Sequence, residues 1–372
     1  MSYLILSTYP GTGSKNSGDD LIGKSLVNLL AKIKGNDIDY DIVSLPDQGV
    51  EAIKDFSKYK AVLAPGLRPT LNGSKVAPKN RTQFLENAPK MGIPIYAIGA
   101  GWSTYPGTIK QSTHLKLDEE EKRHLIQYFG ATNEANNAGL ISCRDITTEN
   151  LLRNNGINCY GTTGDCALFD YDLIGTKPVL PKKIKKVAIS MPHIKSHWQM
   201  AYSLALKIKR EFSCEVYLTF HGYRGRFEKL INPSWNRELV NIVDLSGGAE
   251  KLAFYDEIDI HIGFRLHAHI WFLRTRKPSL LIAEDGRGYG HLATVNGLGY
   301  SAASKMAIQQ ADQMITVDHE MVKEMRKTNP SYRAIKMFKE EIKNGYPITK
   351  NTLTAVDNLW TTKFRPLLEL LP

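Results

Sequence analysis

Apolar positions along this chain follow two periods that alternate. Short strand-like runs stand at Tyr3–Leu6, Tyr40–Ser44, Ala61–Ala64, Ile95–Ile98, Leu140–Cys143 and Cys159–Thr162, and helical spacing separates most of them. The first helical stretch, Asp20–Lys34, sets Leu21, Leu26, Leu29, Leu30 and Ile33 on one stripe, after a Gly/Ser loop from Pro10 to Gly18. Strands alternating with helices predict a parallel sheet covered on both faces.

The alternation breaks at GTKPVLPKKIKK, residues 175–186, whose prolines and lysines read as a linker. KVAIS then opens a second α/β series. Its helix, His197–Phe212, carries Trp198, Ala201, Ala205, Ile208 and Phe212 on one face, and strands follow near Glu215–Phe220, Ile258–Ile262 and Ser279–Ile282. The stretch Asn351–Leu371 reads as a helix that packs back on the first domain. The expected architecture is two Rossmann-like, doubly wound α/β domains facing a cleft: residues 1–175, residues 176–350, and a C-terminal helix over 351–372. In open sheets of this kind ligands bind beyond the carboxyl ends of the strands, so the strand-to-helix turns are where chemistry is sought.

Composition narrows the class. A chain of 372 residues exceeds one ordinary core, and 42% hydrophobic with 23% charged residues is the balance of a globular protein. No apolar run approaches the ~18–20 residues that span a bilayer. The short apolar start, with no basic flank, reads as a strand rather than a signal peptide, and a cytoplasmic location is expected. Cys143, Cys159, Cys166 and Cys214 form no CxxC pair and no zinc spacing, so they read as small buried hydrophobes in a reducing compartment, and no metal is expected. The net charge is +10, with basic clusters at residues 181–186 and 272–277. Neither cluster interleaves with aromatics as a nucleic-acid platform does. The expected partners are anionic small molecules or an anionic membrane surface; a merely solvated basic surface is the alternative.

Three segments can carry chemistry, and one decoy must be set aside. GDDLIGKS, residues 18–25, matches the phosphate-binding P-loop pattern, but Asp19 and Asp20 stand where the anion would lie, and Leu21 and Ile22 belong to the helix stripe. What remains there is Asn16, Gly18 and Asp19 at a helix start: an ordinary Asp cap, or a carboxylate aimed into the cleft at a sugar hydroxyl. In SCRDITTENLLRNNGI, residues 142–157, Arg144 and Asp145 end a strand, and Thr147 and Thr148 can cap the helix that follows. Arg144 is then either half of an ion pair or an anion clamp positioned by Asp145. In TGDCALF, residues 163–169, Asp165 is a turn residue or a second cleft carboxylate.

The most informative segment is EIDIHIGFRLHAHIWFLRTRKPSLLIAEDGRGYG, residues 257–290. It reads as strand, turn, helix, strand and exit loop, which puts Arg265 and His267 at the carboxyl end of a strand and the amino end of a helix. Free N–H groups and the helix dipole favour an anion there. An arginine adds a bidentate fork, and a histidine adds a proton donor near neutral pH. His269 points elsewhere at this spacing and reads as structural.

Taken in order, NSGD, RDITTENLLRNNGI, GDCALF and RLHAHIWFLRTRKPSLLI resemble the polysaccharide pyruvyl transferase family over roughly residues 16–300. The resemblance implies a fold similar to two-domain glycosyltransferases of the B type. It also implies transfer of pyruvate from phosphoenolpyruvate to a sugar, usually as a ketal across two hydroxyls. It places Arg144, Arg265 and His267 at donor-site positions, with Leu266 between the last two. On this reading His267 is the general acid and Asp19 accepts the proton of the attacking hydroxyl, while Asn16, Asp165 and Arg287 complete the substrate contacts. The donor side falls in the second domain and the acceptor side in the first; the acceptor sugar is free or lipid-linked, and no cofactor is called for beyond phosphoenolpyruvate as substrate. The sequence departs from the family where GDCALF replaces a D-P-A-F-like stretch and where Arg287 stands in place of a common lysine, both of which bear on the acceptor. Two other functions share the architecture: a glycosyltransferase using a nucleotide sugar, and a glycan- or anion-binding protein without catalysis.

Overall fold

The computed structural model describes residues 2–9, 15–35, 38–44, 53, 55–71, 85, 92–104, 108–132, 139–222, 231, 234–302 and 330–372. Two six-stranded sheets form the frame, and every pairing within them is parallel. The first half supplies β1 (Ser2–Ser7), α1 (Ser17–Lys34), β2 (Tyr40–Ser44), β3 (Tyr59–Pro65), β4 (Ile95–Ala100), α2 (Ile109–Ser112), α3 (Glu119–Phe129), β5 (Gly139–Cys143), α4 (Ile146–Asn154) and β6 (Gly161–Thr162). The second supplies β7 (Lys186–Ser190), α5 (Trp198–Phe212), β8 (Glu215–Phe220), β9 (Asn241–Asp244), β10 (Ile260–Gly263), α6 (Leu266–Arg274), β11 (Ser279–Ala283), α7 (Gly286–Val295) and β12 (Gly299–Ser301). Helices α8 (Pro330–Lys343), α9 (Pro347–Leu359) and α10 (Arg365–Leu370) close the chain.

The strand orders decide where a ligand can sit. The first sheet runs β2-β1-β3-β4-β5-β6 and the second β12-β11-β10-β7-β8-β9. Connections leave in opposite directions from β1 and β3, and again from β7 and β10. The loops after those strands therefore diverge and leave a crevice, the topological switch point of an open sheet.

The two halves share one apolar core. Leu21, Leu26 and Leu29 of α1 pack in the same cluster as Leu252, Tyr255 and Phe272 of the second half. Polar contacts fix the register across this seam: the Asp20 carboxylate accepts from the Ala249 N–H at 2.7 Å, and the Gly286 N–H donates to the Thr104 carbonyl at 2.8 Å. The C-terminal segment returns to the first half. Lys34 Nζ donates to the Leu371 carbonyl at 2.6 Å, and Phe364 packs against Phe169 at a tilt, with centroids 4.6 Å apart. Arg276 grips Asp357 through two bonds of 2.8 and 2.9 Å. Among the described residues no helix is long and apolar enough to cross a membrane.

Several sequence expectations are corrected. Helix α1 starts at Ser17, ahead of Asp20, because Asn16 caps it by accepting from the Gly18 N–H at 3.1 Å. The residues of the P-loop match thus lie inside a helix, with no loop to cradle phosphate; residues 10–14 of the expected Gly/Ser loop lie outside the described residues. The expected strand Cys159–Thr162 is only Gly161–Thr162, and β9 and β12 were not anticipated because they are short edge strands with little apolar signal. The exit loop expected at the end of KPSLLIAEDG is Glu284 and Asp285, after which an unanticipated helix, α7, begins at Gly286, capped by Asp285, which accepts from the Arg287 N–H at 3.0 Å. The single C-terminal helix is interrupted by a π-turn over Trp360–Phe364, just before Pro366.

Phe364 is fully buried at the seam between the C-terminal segment and α1. Phe364→Ala is expected to cost about 3–5 kcal/mol, read as a lowered urea midpoint. A loss below about 1 kcal/mol would mean that the C-terminal segment does not hold the core together.

Candidate functional site

Both switch points open into the same region between the halves. A cavity of about 270 Å³ is walled by the ends of β1 and β3 (Leu6–Thr8 and Ala64–Arg68), by Asp19, Ile22 and Gly23 of α1, and by Arg144, His267 and Arg287. A smaller cavity adjoins it at the β7/β10 switch point, where Asn16, His193, Arg265, Leu266, Glu284 and Asp285 stand. His267 and Arg287 border both.

Behind the shared wall lies Asp165, 2% exposed. Its Oδ1 caps a short helical turn by accepting from the Ala167 N–H at 2.9 Å. Its Oδ2 faces basic side chains from opposite halves: Arg144 donates to it at 3.3 Å, and His267 Nε2 stands 3.5 Å away, too far for a strong hydrogen bond. Burial pushes the Asp165 carboxyl up, but His267, Arg144 and the Ala167 N–H outweigh it and hold the group well below the usual carboxylate range. Asp145 supports Arg144 from the other side, with Oδ2 3.8 Å from Nε. Its Oδ1 caps α4 and takes both threonines, at 2.7 Å from the Thr147 hydroxyl and 2.8 Å from the Thr148 N–H. The cap is therefore Asp145 itself, and the threonines expected to cap are its ligands. Burial raises the Asp145 carboxyl against the pull of Arg144.

Two glycines permit the close approach of these side chains. A Cβ on Gly18 would fall 2.2 Å from His267 Nδ1, and one on Gly101 would fall 2.0 Å from the Arg144 guanidinium. Gly18 lies in the first turn of α1, where alanine would favour the helix; the imidazole occupies the space that a methyl group would need.

Arg265 is the residue before α6 and is 9% exposed. Its Nε donates to the Met191 carbonyl at 2.9 Å, and one terminal nitrogen reaches His193 Nδ1 at 2.8 Å. Its backbone is held by a buried chain whose direction can be worked out. Ser190 Oγ accepts from the Phe264 and Arg265 N–H groups at 3.0 and 2.9 Å, so its own hydrogen goes to His261 Nε2 at 2.8 Å. Neutral His261 then donates from Nδ1 to Ser279 Oγ at 2.8 Å, and Ser279 donates to His269 Nδ1 at 2.6 Å. His269 is structural, as its spacing suggested.

Among the expected site residues, Asp19, Arg144, His267 and Arg287 border the larger cavity, while Asn16, Arg265 and Leu266 border the smaller. Asn16 also caps α1. Asp165 borders neither cavity: it caps the Cys166–Leu168 turn, one of its two expected readings, and its other oxygen faces Arg144 and His267. Arg287 is clasped by Asp285, with a shortest contact of 2.6 Å. The sequence reading missed Arg68, His193 and Glu284. All three follow strand ends, so the rule that singled out Arg265 applies to them, but only the strand order shows that β3 and β7 flank switch points. Among the described residues no group of three or more His, Cys, Asp or Glu side chains is placed to hold a metal ion.

The fold and site define a two-sheet α/β protein with an arginine-lined cleft between its halves. The chain matches the model of the polysaccharide pyruvyl transferase family over residues 16–286 and belongs to that family. No curated protein matches it. Solved structures of similar shape include UDP-GlcNAc 2-epimerase from Neisseria meningitidis, at 14% identity over 97% of this chain and 100% of that one, with a TM-score of 0.45. The epimerase from Rickettsia bellii is 13% identical over 98% and 99%, with a TM-score of 0.46. A functionally uncharacterised protein from Klebsiella pneumoniae is 13% identical over 81% and 93%, with a TM-score of 0.44.

Two predictions follow from this geometry. Gly18→Ala is expected to displace the His267 ring and to lower turnover at least tenfold while the protein stays folded, as read by steady-state kinetics beside a melting curve; unchanged turnover would mean that the ring position is not critical. The second concerns acid. Burial pushes the His261 imidazole down to about 3 and His291 to about 4, and His221 and His269 well below the ordinary 6.5. Below pH 6.5 the unfolded chain binds protons that the folded chain refuses, so stability is complete above that pH and falls as pH drops toward the folded values. Each histidine contributes a slope of about 1.4 kcal/mol per pH unit. Urea midpoints should fall steadily from pH 7 to 5, and a flat profile would contradict the neutral assignment.

Proposed function

We propose that this chain transfers the pyruvyl group of phosphoenolpyruvate to a sugar and closes it as a ketal across two hydroxyls, on a cell-surface polysaccharide or its lipid-linked precursor. One observation carries the reading: a first-half arginine and a second-half histidine meet on the buried Asp165 carboxylate at the wall of an arginine-lined cleft. Phosphoenolpyruvate bears a carboxylate and a phosphate, and Arg144 and Arg265 offer a guanidinium to each. The basic surface would suit an acceptor held at an anionic membrane.

The chemistry begins with protonation of the donor's methylene carbon. His267 turns Nε2 to Asp165, which leaves Nδ1 to serve the cleft. Asp165 stabilises the imidazolium, and the Nδ1 proton passes to the methylene carbon, making a methyl group and an electron-poor C2. A sugar hydroxyl oxygen forms a bond to C2 and gives its proton to Asp19. The second hydroxyl forms the other C–O bond as the bond from C2 to the phosphate oxygen breaks, and its proton leaves with the phosphate. The proton on Asp19 returns to His267 through solvent. Donor and diol thus yield ketal and phosphate, with nothing oxidised or reduced.

His267→Gln is expected to slow turnover about 10²–10⁴-fold with donor binding changed little. Arg265→Lys should weaken donor binding at least tenfold, because an ammonium cannot reproduce the bidentate fork. The assay is phosphate release from phosphoenolpyruvate across free, nucleotide-linked and lipid-linked sugars. Activity that requires a nucleotide-sugar donor instead, or a Gln variant at wild-type rate, would sink the proposal.

A further inference from the structure

Arg265 is aimed by a loop to which it does not belong. An arginine side chain loses rotamer freedom when it is fixed, so a guanidinium that must receive an anion in one orientation needs acceptors to hold it. The two acceptors described above for the Arg265 side chain, the backbone carbonyl of Met191 and His193 Nδ1, lie on the segment that follows β7, the strand across the switch point from β10. A guanidinium only donates, so Nδ1 must be bare and His193 must be neutral, with its proton on Nε2. A protonated His193 would set one N–H against another.

The loop is itself held from a third strand. Glu284 follows β11, is 6% exposed, and accepts from the His193 N–H at 2.6 Å, the Ile194 N–H at 3.1 Å and His197 Nδ1 at 3.3 Å. Strand β11 lies on the far side of β10 from β7, so the Glu284 carboxylate reaches past the end of β10 to pin the loop. Two oxygens that only accept suit this role; an amide would turn an NH₂ group onto a backbone N–H.

We infer that His193 is a positioning residue, whose Nδ1 lone pair fixes the Arg265 guanidinium at the β7/β10 crevice while Glu284 fixes His193 through its backbone. The inference rests on the reading of Arg265 as an anion receiver. His193 is an exposed residue at the smaller cavity, beside Arg265 and Arg287. Enclosure within the crevice, then the charges of Arg265 and Arg287, hold its imidazole below the ordinary histidine value, in keeping with the neutral form.

The test separates the two ring nitrogens. Asparagine places its Oδ1 where Nδ1 stands; glutamine carries its amide one bond further, where Nε2 stands. His193→Asn should bind phosphoenolpyruvate within threefold of wild type, whereas His193→Gln and His193→Ala should bind at least tenfold more weakly, with KM raised more than kcat is lowered. Glu284→Gln should follow the weak pair. Equal binding by all variants would overturn the inference, and so would retention by Gln with loss by Asn, which would assign the role to Nε2. A ligand-free measurement separates this inference from the proposed reaction: ¹⁵N NMR should show His193 with Nδ1 bare in the wild type, and Arg265→Ala should raise its titration midpoint by a pH unit or more. An Nδ1-protonated ring, or a midpoint indifferent to Arg265→Ala, would overturn the inference even if phosphoenolpyruvate binds. Wild-type protein that fails to bind phosphoenolpyruvate, with the NMR result as expected, would count against the proposed reaction alone.

Discussion

The carboxylate of Asp165 joins the two halves of the site. Removing a carboxylate from water costs several kcal/mol unless cations and hydrogen bonds replace the lost hydration. Here the replacement comes from both sides of the cleft: Arg144 leaves the end of β5, His267 lies in the first turn of α6, and both face the same oxygen. The positions of the halves and the state of the chemical groups are therefore one problem. A shift of the second half that withdrew His267 would leave the carboxylate facing Arg144 alone and the imidazole without the carboxylate.

The second constraint is topological. Two open parallel sheets each have one crevice where connections diverge, and the apolar seam along α1 turns the two crevices toward each other. Arg68 reaches the cleft from the end of β3, Arg144 from β5, Arg265 from β10 and Arg287 from the start of α7. They are distant in sequence and converge because each follows the carboxyl end of a strand. Desolvated guanidinium groups in such a crevice interact with an anion far more strongly than they would in water.

Order at the site also depends on residues that never reach the cleft. The hydrogens along Ser190, His261, Ser279 and His269 are directed because Ser190 spends both lone pairs on the backbone at the head of α6. That chain works only with neutral histidines, which burial enforces. Gly18 and Gly101 act by omission, since any side chain at either position would occupy the space of His267 or of Arg144.

Much of this was legible in the chain itself. Alternating periods of two and 3.6 declared parallel α/β construction, and a strand followed by R-L-H at a helix start marked Arg265 and His267, because both signals depend only on near neighbours. The same local logic identified Arg144 and Asp145 and dismissed the P-loop match through its aspartates. It failed where an outcome depends on distant partners. Asp165 was read as a turn residue or a cleft carboxylate; it does cap a turn, but only the arrival of His267 from the other half shows what its second oxygen meets. His193 and Glu284 share the local mark of a strand end, but their roles come from the order β11-β10-β7, which places three segments far apart in sequence side by side. Sequence alone determined which residues stand at strand ends. Tertiary structure decided which of those ends face one another, because sheet order and the packing of α1 are set by contacts between residues hundreds of positions apart.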